Sequence, residues 1–516
     1  MRILSIPRAI TAFLAVFIAL TVVAAPAKAD WLRADSERFI VYSDGDERTL
    51  RRYVQKLETF DRVLRLWIAA DLSLDEAPPR PLPIYLVGNH RELARVVPGA
   101  TEILQGIYIP AEQDIFAVAR RARRDDSTLL HEYAHHFMFQ NAPEPHPAWF
   151  IEGFAEYYAT VNITSNRVEV GHFSQDQLDW LQYADWMPIE DVLAGRAVNA
   201  EGTHFNATYY PLAWLLTHWF LSDRDRQTVL QRYLIDAGRS GDPVASMQRQ
   251  TGLTPNELRN VLRRYVSGNL PISGTTQRFP TVPVQITRLP PSANDLLLVN
   301  QRLKAGYGRE DADALVAEVR DLAGRHPGDP FARLVLGRAE ILLGDPASGE
   351  AELTALLEEQ PDNVEALQLM ALARLNDAAD HPEGPDVARR QARGFLQRAY
   401  NADDADYYTF LLIAQSRIGE PGYPDENDLA TWELAFTVAP QLVQARFGYA
   451  QTLMARGRNA EAVVLLLPMA NDPHNRQNAA IARQLIERAA GAANRMPPGR
   501  MTIQVEPEAG DEEPEE

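Results

Sequence analysis

The 516-residue chain has no cysteine, which excludes disulfide frameworks, thiolate zinc sites, cysteine nucleophiles, iron–sulfur ligation and thioether-linked haem. Any metal it holds must be ligated by His, Asp or Glu. Histidine is itself scarce, with 11 residues in all. Bases are outnumbered, 51 against 70 acids for a formal charge of −19. General attraction to phosphate backbones is therefore disfavoured, and nucleic acid is not an expected partner. The length suits several domains rather than one small fold.

What is present begins with an apolar run, Ala9 to Ala25, preceded by Arg2 and Arg8 and followed by Ala27-Lys28-Ala29. A charged start, a greasy middle and an A-x-A end read as a secretory signal peptide over residues 1–29. Retention of the run as an anchor is the alternative. Cleavage removes three cations and no acid, taking the charge from −19 to −22. The expected protein is secreted, in a Gram-negative cell periplasmic, with no stable membrane span after cleavage.

Phe39–Tyr42, Ile84–Val87 and an extended segment from Ile107 to Val118, turning at Pro110 to Asp114, read as strands. Glu47 to Ala70 has helical periodicity through Tyr53, Leu57, Phe60 and Leu64. From Ser127 to about Gly268 the pattern is mostly helical, so residues 30–270 are expected to form an α+β domain. Pro- and Thr-rich sequence then suggests a linker over 271–300.

Beyond it Pro327 and Pro361 are 34 residues apart, and Pro440 and Pro473 are 33 apart. Gly344, Gly349 and Leu356 in the first unit, and Tyr449, Gly457 and Ala462 in the second, fall at turn and helix-contact positions. Residues 301–495 resemble tetratricopeptide repeats, an all-α array of about four helical hairpins with insertions near Asp380 to Asp386 and Glu420 to Asp425. Stacked repeats present an extended surface, so a protein partner is expected there. Residues 496–516 end in seven acids from Glu506 onward and read as a disordered tail.

The chemistry concentrates in one helix pair. His131-Glu132-Tyr133-Ala134-His135 places two imidazoles at i and i+4 on one helical face, where both reach one ion. Glu132 falls beside them, suited to act as general base on a water. Ser127 is the expected N-cap, and Asn141-Ala142-Pro143 the stop. After a Pro-punctuated loop, Glu152 lies 17 positions beyond His135 on a second helix and can supply a third ligand oxygen. Three protein ligands leave a fourth position open, as a catalytic zinc requires. Glu156, one turn on, is placed to accept the free N–H of a zinc-bound histidine.

His131-Glu132-x-x-His135 with Trp149-x-x-Glu152-Gly153-x-Ala155-Glu156-Tyr157 resembles the gluzincin metallopeptidases, specifically the peptidase-MA-like domains related to aminopeptidase N and thermolysin. The resemblance covers roughly residues 38–265. It implies a zincin-like catalytic domain with Zn2+ on His131, His135 and Glu152, and with Glu132 as base. It also implies a later helix whose tyrosine faces the reaction. Tyr210, in Tyr209-Tyr210-Pro211-Leu212-Ala213, matches that stretch and would donate to the oxyanion, with Tyr209 or His204 as the alternatives. Aminopeptidase N relatives carry Gly-x-Met-Glu-Asn on the edge strand to hold the substrate amine. No such segment lies between Gln105 and Val118, so the resemblance favours an endopeptidase over an aminopeptidase.

Other candidates read as structural. His136 points about 100° away from His135 around the helix and is expected to pack. His146 lies in the Pro loop. The basic run Arg120 to Arg124 is met at once by Asp125 and Asp126. The expectation is an exported zinc peptidase with a peptide or protein substrate. The alternative is an inactive tetratricopeptide scaffold with a zinc-stabilised domain.

Overall fold

The computed structural model describes residues 30–68, 80–121, 126–142, 144–164, 166–196, 207–306, 310–379, 381–470 and 476–490. The segments read as signal and as acidic tail lie outside these.

The first half is built on a mixed sheet. In chain order come β1 (Leu32–Asp35), β2 (Phe39–Ser43), helix α1 (Glu47–Ile68), β3 (Leu82–Val87), α2 (His90–Val96), β4 (Gly106–Pro110) and β5 (Ile115–Arg120). β2, β3 and β5 are parallel neighbours, while β1 and β4 pair antiparallel on either side. β3 is buried at every position and so reads as a continuous apolar run rather than an alternating one. Ile84, Leu86, Ala117 and Ala119 lie on one face of the sheet, in the same core as Val54, Leu57 and Phe60 of α1; Tyr85, Val87, Phe116 and Val118 meet α2 on the other. β4 is one edge of the sheet.

The helical part follows: α3 (Ser127–Asn141), α4 (Ala148–Ala159), β6 (Asn162–Ile163), β7 (Val168–Val170), α5 (Gln175–Tyr183), α6 (Ile189–Leu193), α7 (Tyr209–Leu221), α8 (Arg224–Ser240), α9 (Pro243–Thr251) and α10 (Pro255–Val266). α3 packs on the α1 face of the sheet, and α4 lies between α3 and α7. α7 is apolar around nearly its whole circumference because it is buried on all sides.

The stretch 271–300 is not an open linker. β8 (Ser273–Thr275) joins β6 and β7 in a small sheet, and β9 (Gln285–Arg288) pairs antiparallel with β1, completing the order β4-β5-β3-β2-β1-β9. β9 is short and flanked by Pro283 and Pro290, as edge strands often are; Val282, Val284 and Ile286 turn inward while Pro283, Gln285 and Thr287 are exposed, an alternation masked in sequence by the prolines. Side chains of α1 hold the approach to it: Gln55 Nε2 donates to Val282 O (2.5 Å), Val282 N–H donates to Gln55 Oε1 (3.1 Å) and Arg51 Nη1 donates to Val284 O (2.5 Å). The next helix, α11 (Ala293–Lys304), starts inside the same stretch and packs Leu297 and Leu298 on the second face of the sheet.

The rest is a helical array: α12 (Ala312–Gly324), α13 (Pro330–Leu343), α14 (Pro346–Glu359), α15 (Val364–Asn376), α16 (Pro385–Ala402), α17 (Tyr407–Arg417), α18 (Glu426–Val438), α19 (Val443–Ala455), α20 (Asn459–Ala470) and α21 (Arg476–Ala490). Among the described residues successive helices pair, giving five hairpins from α11/α12 to α19/α20 followed by α21, one hairpin more than the repeat spacing suggested. Gly344 is the C-cap residue of α13, and Gly349 packs into α13, where an added Cβ would stand 2.9 Å from Ile341 Cγ1. The insertion regions take their own courses: Gly384 adopts φ +92° just before Pro385 opens α16, and Asp380 lies outside the described residues.

The first helices of the early hairpins turn polar side chains to the tip of the β4–β5 hairpin. Gln301 Nε2 and Lys304 Nζ of α11 reach Asp114 Oδ2 (3.1 and 3.3 Å), and Arg338 Nε of α13 donates to Gln113 Oε1 (3.2 Å). From α17, Gln415 Nε2 donates to Glu112 Oε1 (3.2 Å) and Tyr407 Oη to Ala111 O (3.4 Å). This face of the array thus lies against the chain's own first domain.

Candidate metal centre

α3 brings His131 and His135 together with their Nε2 atoms 3.0 Å apart. Its N-cap position is Asp126 rather than Ser127, which is the first helical residue. The Asp126 carboxylate is taken by Lys56 Nζ (2.6 and 2.7 Å) instead of capping the helix. Tyr133, between the two histidines, turns the other way and donates to Asp61 Oδ1 (2.6 Å) inside a buried charge cluster with Arg38 and Arg65. At the far end Asn141 Nδ2 donates to Phe137 O (2.8 Å). Pro143 lies outside the described residues.

α4 delivers the third group. Trp149 anchors its first turn by donating from Nε1 to Tyr233 Oη (2.8 Å). Glu152, 1 % exposed, then sets Oε2 at 3.5 Å from His131 Nε2 and 3.6 Å from His135 Nε2. Gly153 permits this. A Cβ there would stand 2.3 Å from both Ala213 O and Thr217 Oγ1, so only glycine lets α4 lie this close to α7.

The three ligand atoms lie within 4.8 Å of one another and fit one metal ion. Bonds of about 2.0–2.2 Å in tetrahedral geometry require ligand atoms about 3.3–3.6 Å apart, close to the separations observed. The electrostatics also suit a cation. Burial opposes charge on His131, yet Glu152 and Glu156 overcome it and hold the imidazole pKa well above the ordinary value. A cation at this position is stabilised by the same two carboxylates.

Glu156 Oε1 lies 3.3 Å from His131 Nδ1, the ring nitrogen turned away from the ligand group. Its other oxygen, Oε2, accepts from Gln177 Nε2 (2.5 Å). Gln177 is held in turn by the capping box that opens α5, its Oε1 accepting from Ser174 N–H (3.1 Å). The sequence signal for Gln177 was only that of a helix start.

Glu132 extends toward the sheet edge, where its Oε2 accepts from the Tyr108 amide of β4 (3.1 Å). The Tyr108 hydroxyl meets His136 Nδ1 (3.1 Å), and Gln441, just ahead of α19, sits against the same hydroxyl. His136 is therefore a packing residue, and burial lowers its pKa to about 3. No sequence pattern singles out Tyr108.

Tyr210, half-buried at the start of α7, lies in the field of Glu152, Glu156 and Glu132. Burial first, and then these neighbours with Tyr209, push its phenol well above the ordinary value and keep the proton on it as a donor. Tyr209 is fully buried, and its phenol is raised by burial, Glu152 and Tyr233. Of the two, Tyr210 shares its surroundings with Glu132. His204 lies outside the described residues. His146 is not part of the ligand group; it packs on Phe150, and burial lowers its pKa. In the basic run Arg121 pairs with Asp44 (2.8 Å) and Arg120 donates to Glu102 O (3.3 Å), while residues 122–125 lie outside the described set.

No protein-family model matches the chain, and no curated protein matches it. Among solved structures it is similar to a thermophilic TPR protein of Thermus thermophilus, at 18% identity and a TM-score of 0.33, over 38% of this chain and 98% of that one.

Proposed function

We propose that the chain is an exported zinc-dependent peptidase, with endopeptidase cleavage favoured by the absence of an amine-holding Glu motif on the edge strand. One observation carries the reading: His131, His135 and Glu152 converge for one ion, with Glu132 directly beside them and held by the sheet edge. A purely structural site has no use for that extra carboxylate. When bound, zinc supplies Lewis acidity, polarising a carbonyl and easing deprotonation of water. Glu132 takes the proton of the attacking water and returns it to the leaving amine nitrogen. Tyr210 donates a hydrogen bond to the carbonyl oxygen as negative charge develops there. β4, at the sheet edge beside Glu132, offers backbone groups to an extended peptide.

The helical array favours a second reading, a protein-binding scaffold carrying a metal-stabilised domain. Among the described residues no helix is long and apolar enough to cross a membrane. Comparing exported peptides in cells carrying the wild type or Glu132→Gln separates the readings. The peptidase reading expects metal content to be kept and cleavage to fall about 100-fold or more. Identical peptide profiles, with zinc bound in both proteins, select the scaffold.

A further inference from the structure

The repeat array grips the one turn that carries the edge strand. Four consecutive residues, Ala111 to Asp114, are each met by a side chain of the array, drawn from α11, α13 and α17. Asp114, 1 % exposed, also pairs with Arg80 (3.1 Å), whose guanidinium lies over the Tyr407 ring at 5.5 Å. Behind this contact, Glu365 of α15 links Lys304 (2.8 Å) and Arg338, so α11, α13 and α15 are tied into one joint. Shortly before the turn, β4 carries the Tyr108 amide that binds Glu132. The distance from grip to base is thus one short strand, paired with β5 on one side only.

We infer that the array acts in cis as a positioning element: by holding the Ala111–Asp114 turn it fixes β4 at the place where the Tyr108 amide orients Glu132. An unheld edge hairpin would fray at its tip, and loss of the Tyr108 contact would leave Glu132 free to adopt other rotamers. Gln113, Asp114, Arg338 and Gln415 are then positioning residues, acting on the base through the strand. The occupant of this face of the array is the protein's own hairpin, which places any partner of the repeats on another surface. The catalytic consequence rests on the peptidase reading, but the mechanical one does not.

Hydrogen–deuterium exchange on the full-length protein tests the mechanical step. Asp114→Asn is expected to raise exchange across residues 106–110 about tenfold or more, as loss of a charge-assisted contact requires, while α4 and α7 keep their protection. Should that variant fail to fold, the double variant Gln113→Ala, Gln415→Ala gives the same reading with a milder change. Gln113→Glu retains an acceptor for Arg338 and is expected to keep wild-type protection. Unchanged exchange at β4 in the folded variants, or equal loosening of β4, α4 and α7, overturns the proposal. In a wild type that cleaves peptides, the double variant lowers kcat with zinc content unchanged, whatever KM does through the peptide-binding edge of β4; a change in KM alone overturns the catalytic consequence. In a wild type that cleaves none, the exchange result still decides the grip.

Discussion

Glu156 Oε1 lies 3.3 Å from His131 Nδ1, on the opposite edge of the ring from the Nε2 atom that joins the ligand group. A carboxylate on the distal nitrogen fixes the imidazole tautomer, so that Nδ1 carries the proton and Nε2 presents its lone pair. Gln177 holds Glu156 in turn through its second oxygen. The ligand geometry is therefore set by a chain running from the α5 capping box through Glu156 to His131.

Glu156→Ala is accordingly expected to weaken zinc binding about 10- to 100-fold without unfolding the domain. Glu156→Gln, which keeps an acceptor oxygen, should lose less. Competition against a chromophoric chelator measures both. Wild-type affinity in Glu156→Ala, alongside clear loss in His131→Ala, would show that the contact does not serve the metal.

Gly153 provides a separate test, because it acts through packing alone. The atoms that an added Cβ would meet are a backbone carbonyl, Ala213 O, and the hydroxyl of Thr217, which is 0% exposed. The carbonyl belongs to the α7 backbone and cannot swing aside, so α4 must move off α7. Gly153→Ala is expected to cost about 1–3 kcal/mol or more, as overpacking does. It should also weaken metal binding, since Glu152 rides on the displaced helix. A denaturant midpoint equal to wild type would refute the packing argument.

The parts of the site that depend on neighbours along one helix were legible in the sequence. His131 and His135 sit at i and i+4, and Glu152 and Glu156 at i and i+4, so helical geometry alone places each pair on one face. The extended segment with its turn at Pro110 to Asp114 was legible for the same local reason. Tyr108 was not, because its contribution is a backbone amide that any residue would supply. The grip on Asp114 joins residues 187 and 190 positions apart, and a buried polar residue on a repeat helix reads as an ordinary surface position until the partner is known. The stretch over 271–300 reads as a linker because Pro and Thr dominate its local signal, although Val282, Val284 and Ile286 alternate toward the core where the chain joins β1.

The joint behind the grip should respond to acid, and the direction follows from Glu365. Partial burial works against its charge, but Lys304 and then Arg338 overcome this and hold the carboxyl well below the usual carboxylate range. Asp114 and Arg80 are the other charges at this joint. A carboxylate with a depressed folded pKa contributes stability that is fully present above its unfolded value of about 4.5 and is lost as the pH falls through the depressed one. At pH 7, Glu365→Gln is therefore expected to be less stable than wild type. The gap should hold down to about pH 5 and narrow steadily below it, because only the wild type then takes up the extra proton. Protonation elsewhere, including at the metal ligands, is common to both proteins and cancels in the difference. Paired thermal unfolding from pH 7 to pH 3 reads that difference directly, and a gap that stays constant or widens toward acid contradicts the assignment of the depressed carboxyl to this joint.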